Sequence, residues 1–334
     1  MPKISVKGFA PEKARAPLTE LSYNMSAPKA REVIIEISHC GICYSDIHLI
    51  DNDWGISNYP FVPGHEIVGT VRELGSRVKN FKKGQRVGLG WFSKICKTCT
   101  YCKSDRDNMC PSSEATCVGR NGGFADFVKA DSEMVYQIPK EIKSEHAAPL
   151  MCGGWTVHGA FRGYKVKKGS RVAVLGIGGL GHLGLQFGKA MGFKMTAITS
   201  TKNKVKEAKS FGASNVITID EINKYEKAFD FLLVTAHADL DWSQLLNTLD
   251  VDGNICFVGI PPSTVNVHVF SLLMKRLSIS ANPGGSRKMM REMLRIAAKH
   301  KIKPKIETFT FDKVNEAIKK VKSNKIRYRA VLTY

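Results

Sequence analysis

Between residues 30 and 130 the chain alternates short apolar runs with turn residues. Glu32–His39, Glu66–Glu73, Arg86–Gly90 and Gly123–Lys129 read as strands. Pro60, Pro63-Gly64, Gly75, Gly84 and Gly122-Gly123 separate them, which predicts a β-rich, barrel-like domain at this end of the chain. From about residue 153 the pattern changes. Arg171–Leu175, Met195–Thr199, Asn215–Ile219, Asp230–Thr235, Asn254–Val258 and Leu277–Ser280 are apolar runs, with helical stretches such as Lys202–Phe211 between some of them. That alternation predicts parallel strands joined by crossovers, an α/β arrangement. After Pro283-Gly284-Gly285, Ser286 is placed to cap a helix carrying Met289, Met290, Met293, Leu294 and Ala297 on one side. Asp312 is placed to cap a last helix with a Val314, Ile318 and Val321 stripe, and Arg329–Thr333 reads as a closing strand.

Length and composition narrow the class. At about 150 residues per domain, 334 residues make roughly two domains, and 43% hydrophobic with 24% charged residues excludes wholesale disorder. The long uncharged stretch Val172–Gly188 is broken by glycines and a histidine, which is poor membrane-spanning material. The first thirty residues lack the apolar core of a secretion signal, so a cytoplasmic location is expected. The net charge of +20 is uneven: residues 282–334 hold fifteen Lys or Arg against four Asp or Glu. Such a surface suits either nucleic-acid phosphates or a solvated basic face that attracts anions. With no nucleic-acid-binding motif in the chain, the second reading is preferred and no nucleic acid is expected as a partner.

Leu175 is followed by Gly176-Ile177-Gly178-Gly179-Leu180-Gly181. Gly176, Gly178 and Gly181 form a G-x-G-x-x-G fingerprint after a strand and at the opening of a helix, where bare backbone can meet a pyrophosphate. The next strand ends at Thr199. An NAD site usually has a carboxylate there for the ribose hydroxyls, but this chain reads Ser200-Thr201-Lys202-Asn203-Lys204. Hydroxyls and ammonium groups, Ser200, Thr201 and Lys204 among them, suit a 2′-phosphate, so NADP is expected over NAD.

Cys96, Cys99, Cys102 and Cys110 are spaced C-x2-C-x2-C-x7-C. Four thiolates close a tetrahedral zinc site with no open position, which makes it structural. Cys43, His65 and Cys152 are dispersed, and two thiolates with one imidazole leave a fourth zinc position for water or substrate. Two zinc ions per chain are therefore expected. Cys40, Cys117 and Cys256 have no evident partner and read as buried, inert thiols.

Together these residues resemble the zinc-dependent medium-chain alcohol dehydrogenases, and within them the cinnamyl alcohol dehydrogenase branch. The segments that carry the resemblance are Cys43–His48, Ser57–Glu66, the four-cysteine lobe, Ala148–Gly153, the glycine loop and the Ser/Thr-rich stretch before Lys204. The resemblance implies a GroES-like β-rich catalytic domain, residues 1–152 and 283–334, with a zinc lobe at about 94–112. A Rossmann domain, a doubly wound parallel sheet over residues 153–282, would interrupt it. It further implies catalytic zinc on Cys43, His65 and Cys152, with Glu66 beside it or as an alternate fourth ligand, and Asp46 orienting His65. Thr156 and Leu180 would pack near the nicotinamide, Gly179 would lie in the phosphate loop, and Ser45 with His48 would carry the proton to solvent. Trp54, Ile56 and Trp91 or Phe92 would line the substrate pocket. The implied protein is a homodimer or tetramer that moves a hydride between NADP(H) and a primary alcohol/aldehyde pair, medium-sized or aromatic, favouring aldehyde reduction. One alternative is an NAD-dependent alcohol or polyol dehydrogenase; the polyol enzymes commonly replace the Cys152-type thiolate with a carboxylate. The other is a nucleic-acid-binding protein on a dehydrogenase scaffold.

Overall fold

The computed structural model describes residues 3–334. Residues up to Cys152 together with Ser286–Tyr334 form one compact unit, and Gly153–Gly285 form a second. No helix among the described residues is long and apolar enough to cross a membrane.

The first unit opens with a hairpin, β1 (Lys3–Pro11) and β2 (Leu18–Ser26), which the interspersed charges hid from the sequence reading. β3 (Glu32–Ile42) leads into α1 (Tyr44–Asp51). Then follow β4 (Glu66–Leu74), β5 (Arg86–Leu89) and β6 (Phe92–Lys94), which pairs with β7 (Glu114–Ala115) across a lobe holding α2 (Thr100–Lys103). β8 (Phe127–Asp131), β9 (Val135–Gln137) and α3 (Ser144–Pro149) complete the first stretch. The expected strand Gly123–Lys129 is displaced to β8. The reason lies in its first residues: the N–H groups of Gly122, Gly123 and Phe124 donate to Val62, Gly64 and Pro63. Those donors brace the loop before His65 and leave only the later residues to pair with β3.

The second unit holds α4 (Trp155–Gly163), β10 (Arg171–Leu175), α5 (Gly181–Ala190), β11 (Lys194–Thr199), α6 (Val205–Ser210) and β12 (Asn215–Thr218). After them come β13 (Phe229–Val234), α7 (Trp242–Asn247), β14 (Leu249–Phe257), α8 (Val269–Leu273) and β15 (Ser278–Ala281). The six strands form one parallel sheet in the order β12-β11-β10-β13-β14-β15. The winding reverses between β10 and β13, the switch point at which doubly wound sheets bind nucleotides.

The chain then returns to the first unit with α9 (Arg287–Lys299), β16 (Ile306–Thr310), α10 (Val314–Lys322) and β17 (Arg329–Thr333). Ser286 caps α9 by accepting from the Met289 N–H at 3.3 Å, and Met290, Met293, Leu294 and Ala297 are buried at helical spacing. Asp312 is not the cap of α10. It lies inside a 3-10 turn, Phe311–Lys313, that leads into the helix, so the capping position falls to Lys313. β17 joins a sheet in the order β16-β17-β3-β4-β5-β9, and β8 pairs with β3.

Arg287, the first residue of α9, ties this returning segment to the cysteine lobe. Its backbone N–H and Nε meet the buried Asp107 carboxylate at 2.8 and 2.6 Å, and Nη1 reaches Glu133 at 2.5 Å. Arg287→Ala leaves Asp107 buried without its cation and is expected to lower unfolding stability by about 3 kcal/mol. Urea titration of the zinc-loaded protein checks this, with Arg287→Lys recovering part of the loss.

Candidate active site

The first centre is built where β3 ends. Cys43 occupies the N-cap position of α1 in extended conformation, and its N–H donates to Asp46 Oδ2 at 2.9 Å. The other oxygen of Asp46 accepts from the Gly64 N–H at 3.1 Å and meets His65 Nδ1 at 2.8 Å. Asp46 and His65 are both fully buried. A carboxylate beside Nδ1 only accepts, so Nδ1 carries a hydrogen and Nε2 is the nitrogen left to offer a lone pair to a metal once it gives up any proton of its own. Nε2 is buried and has no protein partner. Burial works against a charged His65, but the Asp46 carboxylate and the Cys152 sulfur outweigh it and raise its pKa well above the ordinary value.

Cys152 reaches the same place on a π-helical turn, Leu150–Gly154, directly after α3. Its sulfur lies 3.9 Å from that of Cys43. The pair shares a hydrogen bond that pulls the Cys43 thiol pKa down and pushes that of Cys152 up, so one thiolate forms far more easily than two.

Glu66, the first residue of β4, completes the group. One oxygen pairs with the buried guanidinium of Arg329 on β17; the other is buried without a protein partner. Burial, partly offset by Arg329, raises the Glu66 pKa to about 7. Gly41 stands opposite it in the β3–β4 register, where a Cβ would come within 2.0 Å of Glu66 Oε2. Ligand atoms of Cys43, His65, Glu66 and Cys152 lie within 4.8 Å of one another. Two soft sulfurs, an imidazole whose Nε2 has no protein partner and a nearby carboxylate are donors that fit zinc.

Sequence reasoning named Cys43, Asp46, His65, Glu66 and Cys152, but missed Arg329, Gly41 and Cys117. The signal for Arg329 was a charge at the head of an otherwise apolar strand. Cys117, expected to lack a partner, lies with Asp46 and His65 in a second group within 4.8 Å, and burial raises its thiol pKa.

An aromatic chain leads away from His65. Trp91 meets the His65 ring edge-on at 4.9 Å, Trp54 meets Trp91 at 6.3 Å, and His48 meets Trp54 at 5.1 Å. Ser45 Oγ is 3.7 Å from the Cys43 sulfur, and His48 Nδ1 is 2.7 Å from Asp53 Oδ2. Ile56 is solvent-exposed, and Phe92 packs against the main core of the unit.

In the lobe, the sulfurs of Cys96, Cys99, Cys102 and Cys110 also lie within 4.8 Å of one another. Backbone N–H groups point at three of them: Cys99 at Cys96, Cys102 at Cys99, and Cys96 at Cys110, at 3.3–3.5 Å. Those donors help pull the Cys96 pKa down to about 5, whereas burial pushes Cys102 up to about 12.

The glycine loop joins β10 to α5. Gly176 has φ +87°, which a side chain would strain, and a Cβ on Gly181 would fall 1.9 Å from the Gly176 carbonyl oxygen. A Cβ on Gly178 would instead meet nothing within 4 Å, leaving its backbone open to a ligand. Lys204 Nζ folds back to the Ile177 carbonyl at 3.1 Å. Thr201 Oγ1 donates to Asn203 at 2.5 Å, and Ser200 is exposed. Gly179 and Leu180 lie between the open glycine and the start of α5, and Thr156 is buried in α4.

Family models match the two halves of this arrangement: an alcohol dehydrogenase GroES-like domain over residues 29–140 and a zinc-binding dehydrogenase domain over 179–299. The chain belongs to the zinc-binding alcohol dehydrogenase family. Among these dehydrogenases it is 42% identical to the aldehyde reductase AdhA of Synechocystis sp., covering 98% of this chain and 99% of that one. It is 35% identical to NADP-dependent alcohol dehydrogenase C of Mycobacterium bovis, covering 98% of each. A cinnamyl alcohol dehydrogenase of Sorghum bicolor superposes with a TM-score of 0.94 at 31% identity, over 99% of this chain and 98% of that one.

The buried Asp46 hydrogen bond fixes the ring of His65, and outer partners of this kind contribute strongly to metal affinity. Asp46→Asn is expected to weaken zinc binding at this centre about 10–100-fold. Chelator competition with zinc counting should show one of two ions released early, the lobe ion being retained.

Proposed function

We propose that this enzyme transfers a hydride between NADP(H) and a primary alcohol/aldehyde pair of medium size or aromatic character, working mainly as an aldehyde reductase. The observation that carries the reading is the buried, partnerless Nε2 of His65 beside two sulfurs 3.9 Å apart. Bound zinc supplies a Lewis acid that polarises a carbonyl and lowers the pKa of an alcohol, and the nicotinamide supplies or accepts the hydride.

Cys43, His65 and Cys152 hold the catalytic metal, with Asp46 keeping Nδ1 of His65 protonated so that Nε2 faces it. Glu66, anchored by Arg329, stands beside the metal or serves as an alternate fourth ligand, the one oxygen donor of the group. Cys96, Cys99, Cys102 and Cys110 hold a structural zinc. Ser45 Oγ passes the proton between the reacting oxygen and the path to solvent, with His48 at the outer end. Trp54 and Trp91 form an aromatic wall of the substrate pocket, with Ile56 at its rim; Phe92 is the weakest candidate because it faces the core.

Gly176, Gly178, Gly179 and Gly181 take the pyrophosphate, Thr156 and Leu180 contact the nicotinamide, and Ser200, Thr201 and Lys204 take the 2′-phosphate. The last assignment is supported by the absence of any Asp or Glu from 200–206 and by the position of Lys204 at the glycine loop. A Helicobacter pylori cinnamyl alcohol dehydrogenase complexed with NADP(H) is a structural relative, with a TM-score of 0.92 at 29% identity, over 99% of each chain. The chain pairs as a homodimer, or builds further into a tetramer. The supporting surface is β15, an edge strand, preceded by Val269, Phe270, Leu273 and Met274, each 61–69% exposed.

An aldehyde and alcohol panel with both cofactors tests the function. A lower Michaelis constant for NADPH than for NADH is expected, with Lys204→Glu closing the gap; equal or better use of NADH by the native chain refutes the cofactor assignment. Ser45→Ala should cut turnover at least about tenfold while zinc content stays at two per chain. Unchanged turnover under conditions where chemistry is rate-limiting removes Ser45 from the relay.

A further inference from the structure

Three consecutive carbonyls of the glycine loop each take a side-chain donor. Thr235 Oγ1 donates to that of Gly176 at 2.6 Å, Lys204 Nζ to that of Ile177 at 3.1 Å, and His182 Nδ1 meets that of Gly178 at 2.9 Å. An ionised pyrophosphate accepts hydrogen bonds and donates none. A loop that holds one must therefore turn carbonyls away from it and N–H groups towards it. Thr235 and Lys204 reach the loop from other segments. His182 reaches it from α5, one residue past Gly181.

His182 is fully buried, with its ring edge-on to that of Phe211 at 5.3 Å. A carbonyl only accepts, so Nδ1 carries a hydrogen. The same Gly178 oxygen also accepts the backbone N–H of His182 at 3.1 Å. One residue thus holds this carbonyl twice. The peptide so held joins Gly178 to Gly179, and a planar trans peptide points its N–H opposite to its C=O. With the oxygen turned towards α5, the Gly179 N–H points away from it, and no protein acceptor meets that N–H among the described residues. Between two glycines no side chain resists rotation of this peptide, and a flipped peptide would show its oxygen to an anion. We infer that His182 is a positioning residue for the cofactor, its Nδ1 latch locking the Gly178–Gly179 peptide with the N–H outward for a pyrophosphate oxygen. The inference rests on the dinucleotide reading of the glycine loop given above. Without the latch the loop still binds, but only in the fraction of molecules that hold this peptide orientation, and the apparent affinity falls by that fraction.

Titration of the zinc-loaded enzyme with NADPH, read by cofactor fluorescence, tests the latch in two variants. His182→Leu keeps an apolar body against Phe211 and removes the donor. His182→Asn loses the ring but carries an amide N–H near the place of Nδ1. The expected result is a dissociation constant raised about 3–10-fold in His182→Leu and restored to within about twofold of native in His182→Asn. A role in packing alone predicts the opposite order, with His182→Leu binding like the native enzyme and His182→Asn impaired, and that result overturns the inference. Equal loss in both variants assigns the effect to the ring itself and overturns it too. A parallel titration with NADH, which carries the same pyrophosphate, lets the order of the variants decide the latch whichever cofactor the native enzyme prefers. A native enzyme that binds neither nucleotide removes the dinucleotide reading, and the latch with it.

Discussion

The first unit is organised around one buried carboxylate. Asp46 receives the N–H of Cys43, the N–H of Gly64 and the Nδ1 hydrogen of His65. These donors belong to the start of a helix and to a loop that the sequence separates by some twenty residues. An unpaired carboxylate at full burial would be prohibitively costly, so the three bonds must form together. Once they do, two of the three proposed metal ligands are set, one by its backbone and the other by its ring. The third, Cys152, is delivered by a π-helical turn, a geometry that helices adopt at functional positions more often than elsewhere.

The surrounding residues serve that arrangement. Gly122, Gly123 and Phe124 use their backbone donors on the loop before His65 instead of extending a strand. Gly41 lacks a side chain where Glu66 passes. Arg329 answers Glu66 in a place with no access to water. In the second unit the glycines divide the labour: Gly176 supplies a left-handed turn, Gly181 allows close approach of α5, and Gly178 leaves open space. The basic C-terminal segment is partly answered within the chain as well, because Arg287, Lys288, Lys320, Lys322 and Arg329 all make intramolecular ion pairs, Arg329 in the interior and Lys288 on the surface.

Much of this was legible in the sequence because it is local. The strand, glycine loop and helix around Gly176 are contiguous, and so is the four-cysteine spacing. The strands of the parallel sheet are apolar on both faces and stand out as runs. What the sequence hid is non-local or mixed in pattern. β1 and β2 bury few of their residues and mix small, polar and charged positions among the apolar ones, so they read as ordinary surface. The Glu66–Arg329 pair spans 263 residues, and only the closing of β17 onto β3 brings it together. Cys117 carries no spacing signal; its place behind His65 follows from how residues 116 and 117 fold under Trp91. Asp312 was misplaced because a 3-10 turn extends the helical segment upstream of its cap.

The interrupted connectivity has a consequence for biogenesis. Residues 153–285 are continuous and can fold as soon as they leave the ribosome, whereas the first unit must wait for β17. Until Arg329 is synthesised, Glu66 has no counter-charge and β3 has an open edge. The nascent first unit therefore spends the translation of more than half the protein as a partly exposed sheet, a window in which chaperone protection matters most.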